Sequence, residues 1–204
     1  MKRQKTEKKA YHHGNLAESL LNAVDELATQ FGLEAVTLRG CAKLVGVSPS
    51  SAFRHYADKR ALLTAFATRA LHQLSDAMAA AKSRAQIDGS SEFHAVGLAY
   101  VAFALEKPAF YRAMWRNETI YTNDQDYIAA ASGLSDHLKA GFADTIEDKD
   151  PGRLSPQELL AWSAVHGLAN LFVDGPVAKG ETISQKMARA DDMIHALAPA
   201  FSST

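Results

Sequence analysis

Between residues 37 and 59 the chain reads TLRGCAKLVGVSPSSAFRHYADK, and this stretch holds more helix punctuation than any fold can ignore. Thr37 is placed to cap a short helix whose apolar side is Leu38, Cys41, Ala42 and Val45, and Gly46 closes it. Ser48 caps the next, with Pro49 at its first position, where a missing N–H and a fixed φ are advantages. Asp58 caps a third. A chain that must stop at Gly46 and restart at Ser48 has room only for a sharp corner.

The flanking sequence is helical as well. Asn15 and Glu18 carry the N-cap and N3 residues of a capping box. Leu16, Leu20, Ala23, Val24, Leu27 and Phe31 then recur at helical spacing up to Gly32, which predicts a helix over 16–31. After Asp58, the residues Leu62, Leu63, Phe66, Ala70, Leu71, Leu74 and Met78 predict a long helix. Two short helices around Gly46-Val47, braced by a longer one on each side, make a helix-turn-helix. In the second short helix Ala52, with either Phe53 or Tyr56, must pack inward, which leaves Ser50, Ser51, Arg54 and His55 facing out.

KSRAQIDGSS at 82–91 breaks the apolar pattern and marks a boundary near 85–90. Beyond it helices are predicted at about 91–106, 108–116, 124–146, 156–173 and 182–198. Ser155-Pro-Gln-Glu158 is a strong start signal, and Thr182-Ile-Ser-Gln185 is another. The expected fold class is all-α: a three-helix helix-turn-helix domain at 15–60 behind a basic arm at 1–14, a connecting helix at 61–84, and a helical domain at 85–204.

Charge separates the two halves. Residues 1–64 carry ten Lys and Arg against six Asp and Glu, while the whole chain of 204 residues has a net charge of −1. A basic front on an acidic body points to a polyanion partner for the N-terminal part, although Lys2, Arg3, Lys5, Lys8 and Lys9 also fit a solvated basic tail. The single cysteine, Cys41, excludes an intramolecular disulfide. The longest apolar run, LAYVAFAL at 98–105, is far short of the roughly 20 residues that span a bilayer, and no apolar segment follows the basic start as in a signal peptide. A cytoplasmic protein with no membrane partner is expected.

YHHGNLAESLLNAVDELATQFGLEAVTLRGCAKLVGVSPSSAFRHYADKRALLTAF resembles the DNA-binding domain of the tetracycline-repressor (TetR) family of transcriptional regulators. The likeness rests on the Gly-Leu-x-x-Val-Thr-Leu-Arg entry, the Ala-x-x-x-Gly-Val-Ser turn, the aromatic-x-His-aromatic end and Lys-x-x-Leu-Leu, over residues 11–66. Trp162-x-x-x-His166-Gly167 resembles the Trp-His-Gly signature of one C-terminal subfamily. Phe53 stands where the family usually has tyrosine, so that hydroxyl contact to phosphate is lost.

The residues themselves agree with such a role. A helix entering a major groove about 12 Å wide needs small polar side chains in front, and Ser48, Ser50 and Ser51 supply them. Arg54 is the side chain able to read guanine with two hydrogen bonds, and it could equally bind a phosphate. Arg39 reaches the backbone or an adjoining groove edge, while Thr37, Tyr56 and Lys59 are candidate phosphate anchors. His55 packs or bonds near a phosphate, and Lys8 and Lys9 can order along DNA on binding.

Aromatics crowd residues 93–127: Phe93, Tyr100, Phe103, Phe110, Tyr111, Trp115, Tyr121 and Tyr127. Each is either core or the wall of the effector pocket that the resemblance implies. The candidate pocket residues are Tyr100, Phe103, Tyr111, Met114, Trp115, Trp162, His166 and Asn170. Trp162, His166 and Asn170 follow each other at four-residue steps on one helix face. A buried His and Asn need partners, either a ligand or each other's neighbours.

The expected function is a ligand-responsive repressor that binds a (pseudo)palindromic operator as a homodimer, with two recognition helices about 34 Å apart. A constitutive DNA-binding protein without effector and a helical enzyme or carrier using the Trp162/His166 face are the alternatives. No nucleophile–base pair, glycine loop for phosphate or paired carboxylates stand out, so no catalytic residue and no cofactor are proposed. His12-His13 lack accompanying ligands, so no metal is expected.

Overall fold

A computed structural model describes residues 15–140 and 154–197. Among the described residues every regular element is helical. The chain divides into two compact units, the first ending at Leu62 and the second beginning at Leu63.

In the first unit, α1 (Leu16–Phe31), α2 (Leu38–Val45) and α3 (Pro49–His55) pack against one another. Each begins at the residue its sequence predicts. The Asn15 side chain accepts from the Glu18 N–H, Thr37 from Gly40, and Ser48 from Ser51. Gly46 ends α2 with φ at +78°, in the left-handed region that favours glycine. Leu20, Val24, Ala28, Leu38, Cys41 and Ala52 form the core. Burial pushes the Cys41 thiol up to about 11, so this cysteine serves as a small apolar filler.

Phe31 departs from the expected apolar stripe of α1 and is 60% exposed. It is the last residue of the helix, and once the chain turns at Gly32 it is Leu33 that fills the buried place. In α3 the inward partner of Ala52 is Tyr56, which is half-buried and donates to the Ala17 carbonyl at 3.4 Å, while Phe53 stays 45% exposed.

Helix α4 (Lys59–Asp88) starts in the first unit and continues into the second. Leu62 through Met78 are buried at the predicted positions. The apparent break at 82–88 is still helix, because Ala81 and Ala85 carry the buried spacing on from Met78. Gly89, with φ at +74°, follows the helix end.

In the second unit, α5 (Glu92–Glu106) lies at the centre and packs against α6 (Pro108–Trp115), α8 (Pro156–Val173) and α9 (Ile183–Leu197). α7 (Gln125–Ala140) contacts α8, and the predicted extension of α7 to 146 lies outside the described residues. Gly97 permits the close crossing of α5 with its neighbours: an added Cβ there would stand 3.0 Å from Ile194 Cδ1 and 3.6 Å from Val165. Ser155 and Glu158 form a reciprocal capping box at α8. Among the described residues no helix is long and apolar enough to cross a membrane.

Candidate functional site

On the first unit, the exposed face of α3 carries the predicted groove-reading residues. Ser48 Oγ lies 2.9 Å from Ser50 Oγ and 2.8 Å from Ser51 Oγ, and Arg54 Nη2 donates to Ser51 Oγ at 3.1 Å. These side chains occupy each other in a chain along the surface. Arg39, Ser50, Arg54 and His55 are exposed, and so is Thr37 at the start of α2. Phe53 adds an exposed apolar ring to the same helix, able to meet a thymine methyl or a sugar.

Two of the predicted anchors also hold the unit together. Lys59 Nζ donates to the Glu34 carbonyl at 2.7 Å, tying the start of α4 to the turn before α2. The Tyr56 hydroxyl faces α1. Lys8, Lys9, His12 and His13 lie outside the described residues.

The second unit gathers Tyr100 from α5, Tyr111 and Trp115 from α6, and Trp162, His166 and Asn170 from α8 into one cluster. Asn170 Nδ2 lies 2.8 Å from His166 Nε2, and the Tyr100 hydroxyl 2.7 Å from His166 Nδ1. With the Asn170 amide oriented in this way, its nitrogen can only donate, so Nε2 accepts and the imidazole proton sits on Nδ1, donated to Tyr100. Tyr111 completes the circuit, with its hydroxyl 3.2 Å from the same Nδ1 and donating to the His166 carbonyl at 3.4 Å. Burial disfavours a charge here: it holds the His166 imidazole below the usual histidine value and pushes both tyrosines well above theirs.

That circuit leaves two groups out. The indole N–H groups of Trp115 and Trp162 are buried and have no hydrogen-bond acceptor among the described residues. They lie close enough to the Tyr100 oxygen to favour its ionised form slightly, yet neither reaches it in hydrogen-bond geometry. The rings themselves are packed together, with centroids 5.9 Å apart and Trp115 edge-on to His166 at 4.9 Å.

Both indoles line a cavity of about 170 Å³ whose other walls are Leu71, Tyr127, Ala131, Leu134 and Leu154. A smaller one of about 40 Å³ is also lined by Trp162, together with Tyr100, Phe93, Val96, Gly97, Val165 and His137 among others. Of the predicted pocket residues, Trp115 lines the larger cavity, Tyr100 the smaller and Trp162 both. Phe103 and Met114 are buried and line neither. Tyr111, His166 and Asn170 are spent on one another. Leu71, Leu134 and Leu154 were missed because an apolar residue on a helix carries the same pattern whether it meets core or cavity.

Comparison with known proteins gives both units a lineage. Residues 20–66 match the family described as bacterial regulatory proteins, tetR family, and residues 93–197 match the tetracyclin repressor-like C-terminal domain. The uncharacterized HTH-type transcriptional regulator YobS of Bacillus subtilis is 33% identical over 100 residues, which is 49% of this chain and 51% of that protein. A protein of unknown function from Rhodococcus sp. RHA1 superposes with a TM-score of 0.69 at 26% identity, covering 92% of this chain and 97% of that one. The TetR-family regulator PfmR from Thermus thermophilus shares the fold, with a TM-score of 0.59 at 18% identity over 86% of this chain and 97% of that one. The chain is thus a DNA-binding transcription factor and not an enzyme, and it belongs to the tetracycline-repressor family of transcriptional regulators.

Proposed function

We propose that this regulator is a ligand-responsive repressor that binds a (pseudo)palindromic operator as a homodimer and is released by a small, mostly apolar effector. The observation that carries the effector is the pair of buried indole donors, Trp115 and Trp162, on the wall of an otherwise apolar cavity. A buried N–H without an acceptor costs about 1–3 kcal/mol, and a ligand oxygen placed between the two indoles recovers that energy. The cavity volume is close to that of engineered apolar cavities of about 150 Å³ that take up benzene. The fitting ligand is therefore compact, apolar in its body, and carries one carbonyl, carboxylate or ether oxygen.

In this reading residues 15–60, with the basic arm at 1–14, contact DNA in the cytoplasm. The helix at 61–84 connects them to an effector-binding and dimerisation domain at 85–204. Ser48, Ser50 and Ser51 enter the groove, Arg54 reads a base or phosphate, and Arg39, Thr37, His55, Tyr56, Lys59, Lys8 and Lys9 hold the backbone. Dimerisation is supported by α8, where Leu160 and Leu171 remain 50% and 43% exposed on either side of Gly167. A Cβ at Gly167 would meet open space, so a second α8 can approach there. Effector binding lowers operator affinity by the ratio of its affinities for the released and bound states.

The test uses a convenience of composition: the chain has two tryptophans, and both line the cavity. With an operator selected from random DNA, candidate effectors are titrated while intrinsic fluorescence and operator binding are followed together. A saturable fluorescence change paralleled by release of DNA is expected. Ligands that move the fluorescence and leave operator affinity untouched would show a constitutive DNA-binding protein instead.

A further inference from the structure

We propose that His94, Asp191 and His195 form a binding site for a divalent first-row transition metal of the zinc class, separate from the effector cavity and independent of that reading. One donor atom from each of these three side chains lies within 4.8 Å of the others. His94 comes from the first turn of α5, and Asp191 and His195 are four residues apart on α9, hence on one helix face.

The packing of the second unit builds the site. Ile194 of α9 is seated on Gly97 of α5, at a contact where a Cβ on Gly97 would stand only 3.0 Å away. His94 is one turn before Gly97, and Asp191 and His195 flank Ile194, so the same crossing that buries the isoleucine aims the three polar side chains together. The Ser91 cap, which accepts from the His94 N–H at 3.3 Å, holds the backbone of that turn.

The orientation of His94 points beyond a simple ion pair. Its Nε2 lies 2.9 Å from Asp191 Oδ1, yet this buried nitrogen does not meet hydrogen-bond geometry toward any acceptor among the described residues. The imidazole nitrogen and the carboxylate oxygen are close without facing each other, as two ligands of one ion are. The His195 ring stands edge-on to His94, with centroids 4.6 Å apart. Tetrahedral zinc with bonds of about 2.0–2.1 Å requires donors roughly 3.3 Å apart, and the spacings of 2.9 to 4.8 Å bracket that value. His195 is exposed and reaches it by turning its ring. Arg189, the nearby cation on α9, is engaged with Glu181 at 2.7 Å and leaves the Asp191 charge to the metal. Two imidazoles and a carboxylate suit zinc, with the fourth position open to water. A bound ion would clasp the start of α5 to the end of α9.

The full-length chain, without an affinity tag and stripped with a chelator, is titrated with Zn²⁺ by calorimetry and with Co²⁺ by visible absorption. The expected result is one equivalent per chain, intense Co²⁺ bands from a low-symmetry N/O site, and a thermal midpoint raised by zinc. His195→Ala leaves the packing intact because the side chain is exposed, and it should weaken zinc by about 10- to 100-fold or more. Asp191→Asn should behave alike. His72→Ala on α4 and the double variant His12→Ala/His13→Ala should leave zinc binding unchanged. No saturable uptake, equal affinity in His195→Ala, or loss of the equivalent in the His12/His13 variant overturns the proposal.

Discussion

Two hydrogen-bonded clusters of similar size differ because one is exposed and the other is partly sheltered from solvent. On α3, Ser48, Ser50, Ser51 and Arg54 are linked at 2.8 to 3.1 Å on an exposed surface. In the second unit Tyr100, Tyr111, His166 and Asn170 are linked at similar distances in a part-buried cluster. A surface bond is traded for water at little net cost, so the serines and Arg54 can give up each other for bases and phosphates. A sheltered bond exchanges less freely, so the tyrosine–histidine circuit contributes to holding α5, α6 and α8 together. The circuit leaves out the two indole N–H donors, which meet no acceptor among the described residues.

The contrast can be broken at five places. The largest effect is expected from His166→Ala, which strands Tyr100 and Asn170 and should cost about 3 kcal/mol in denaturant unfolding followed by tryptophan fluorescence. The same residue sets a pH dependence. Burial lowers the folded-state value of His166, so below about pH 6.5 the unfolded chain takes up a proton that the folded chain refuses. Stability therefore falls as the pH drops from neutral through that value, and the slope should shrink in His166→Ala. A slope unchanged by the substitution would assign it to another histidine.

Next comes Arg54→Ala, expected to lose about 1–3 kcal/mol of specific operator binding in a fluorescence anisotropy titration, with its melting temperature nearly unchanged. An unaltered footprint and affinity would remove Arg54 from the reading face. Lys59→Ala should differ in kind: it weakens all DNA alike and also lowers the stability of the unit, because it breaks the 2.7 Å bond to the Glu34 carbonyl. Trp115→Phe keeps a smaller aromatic ring and removes one orphaned donor, so the fold should persist at a modest stability cost while effector affinity drops about tenfold, the worth of one hydrogen bond. Undiminished affinity would mean that the effector does not use that donor. Ser50→Ala should be the mildest, within about 0.5 kcal/mol in stability.

Legibility followed the range of the interaction. Asn15, Thr37, Ser48 and Ser155 announce helix starts through contacts three residues away, and all four accept the expected N–H. Where burial depends on distant elements, local pattern was a poorer guide. Phe31 stands at the right spacing but beyond the cover of the other helices, and 82–88 reads as a break although Ala81 and Ala85 keep the helix packed. The choice between Phe53 and Tyr56 for the inner face of α3 was open in the sequence, and the approach of α1 with the Ala17 carbonyl decided it.

The sequence by itself determined that the regular elements of the described residues are helices, that two short helices meet at Gly46-Val47, and that serines lead α3 with Arg54 behind them. Those are consequences of capping, glycine at positive φ and apolar period, all settled within a few turns of chain. Only the tertiary structure decided that His166 and Asn170 are satisfied by Tyr100 and one another, that the indoles of Trp115 and Trp162 are not, and that His94 meets Asp191 and His195. The reason is physical: hydrogen-bond satisfaction and ligand convergence depend on which helices cross, and a crossing such as Gly97 on Ile194 joins residues far apart in sequence.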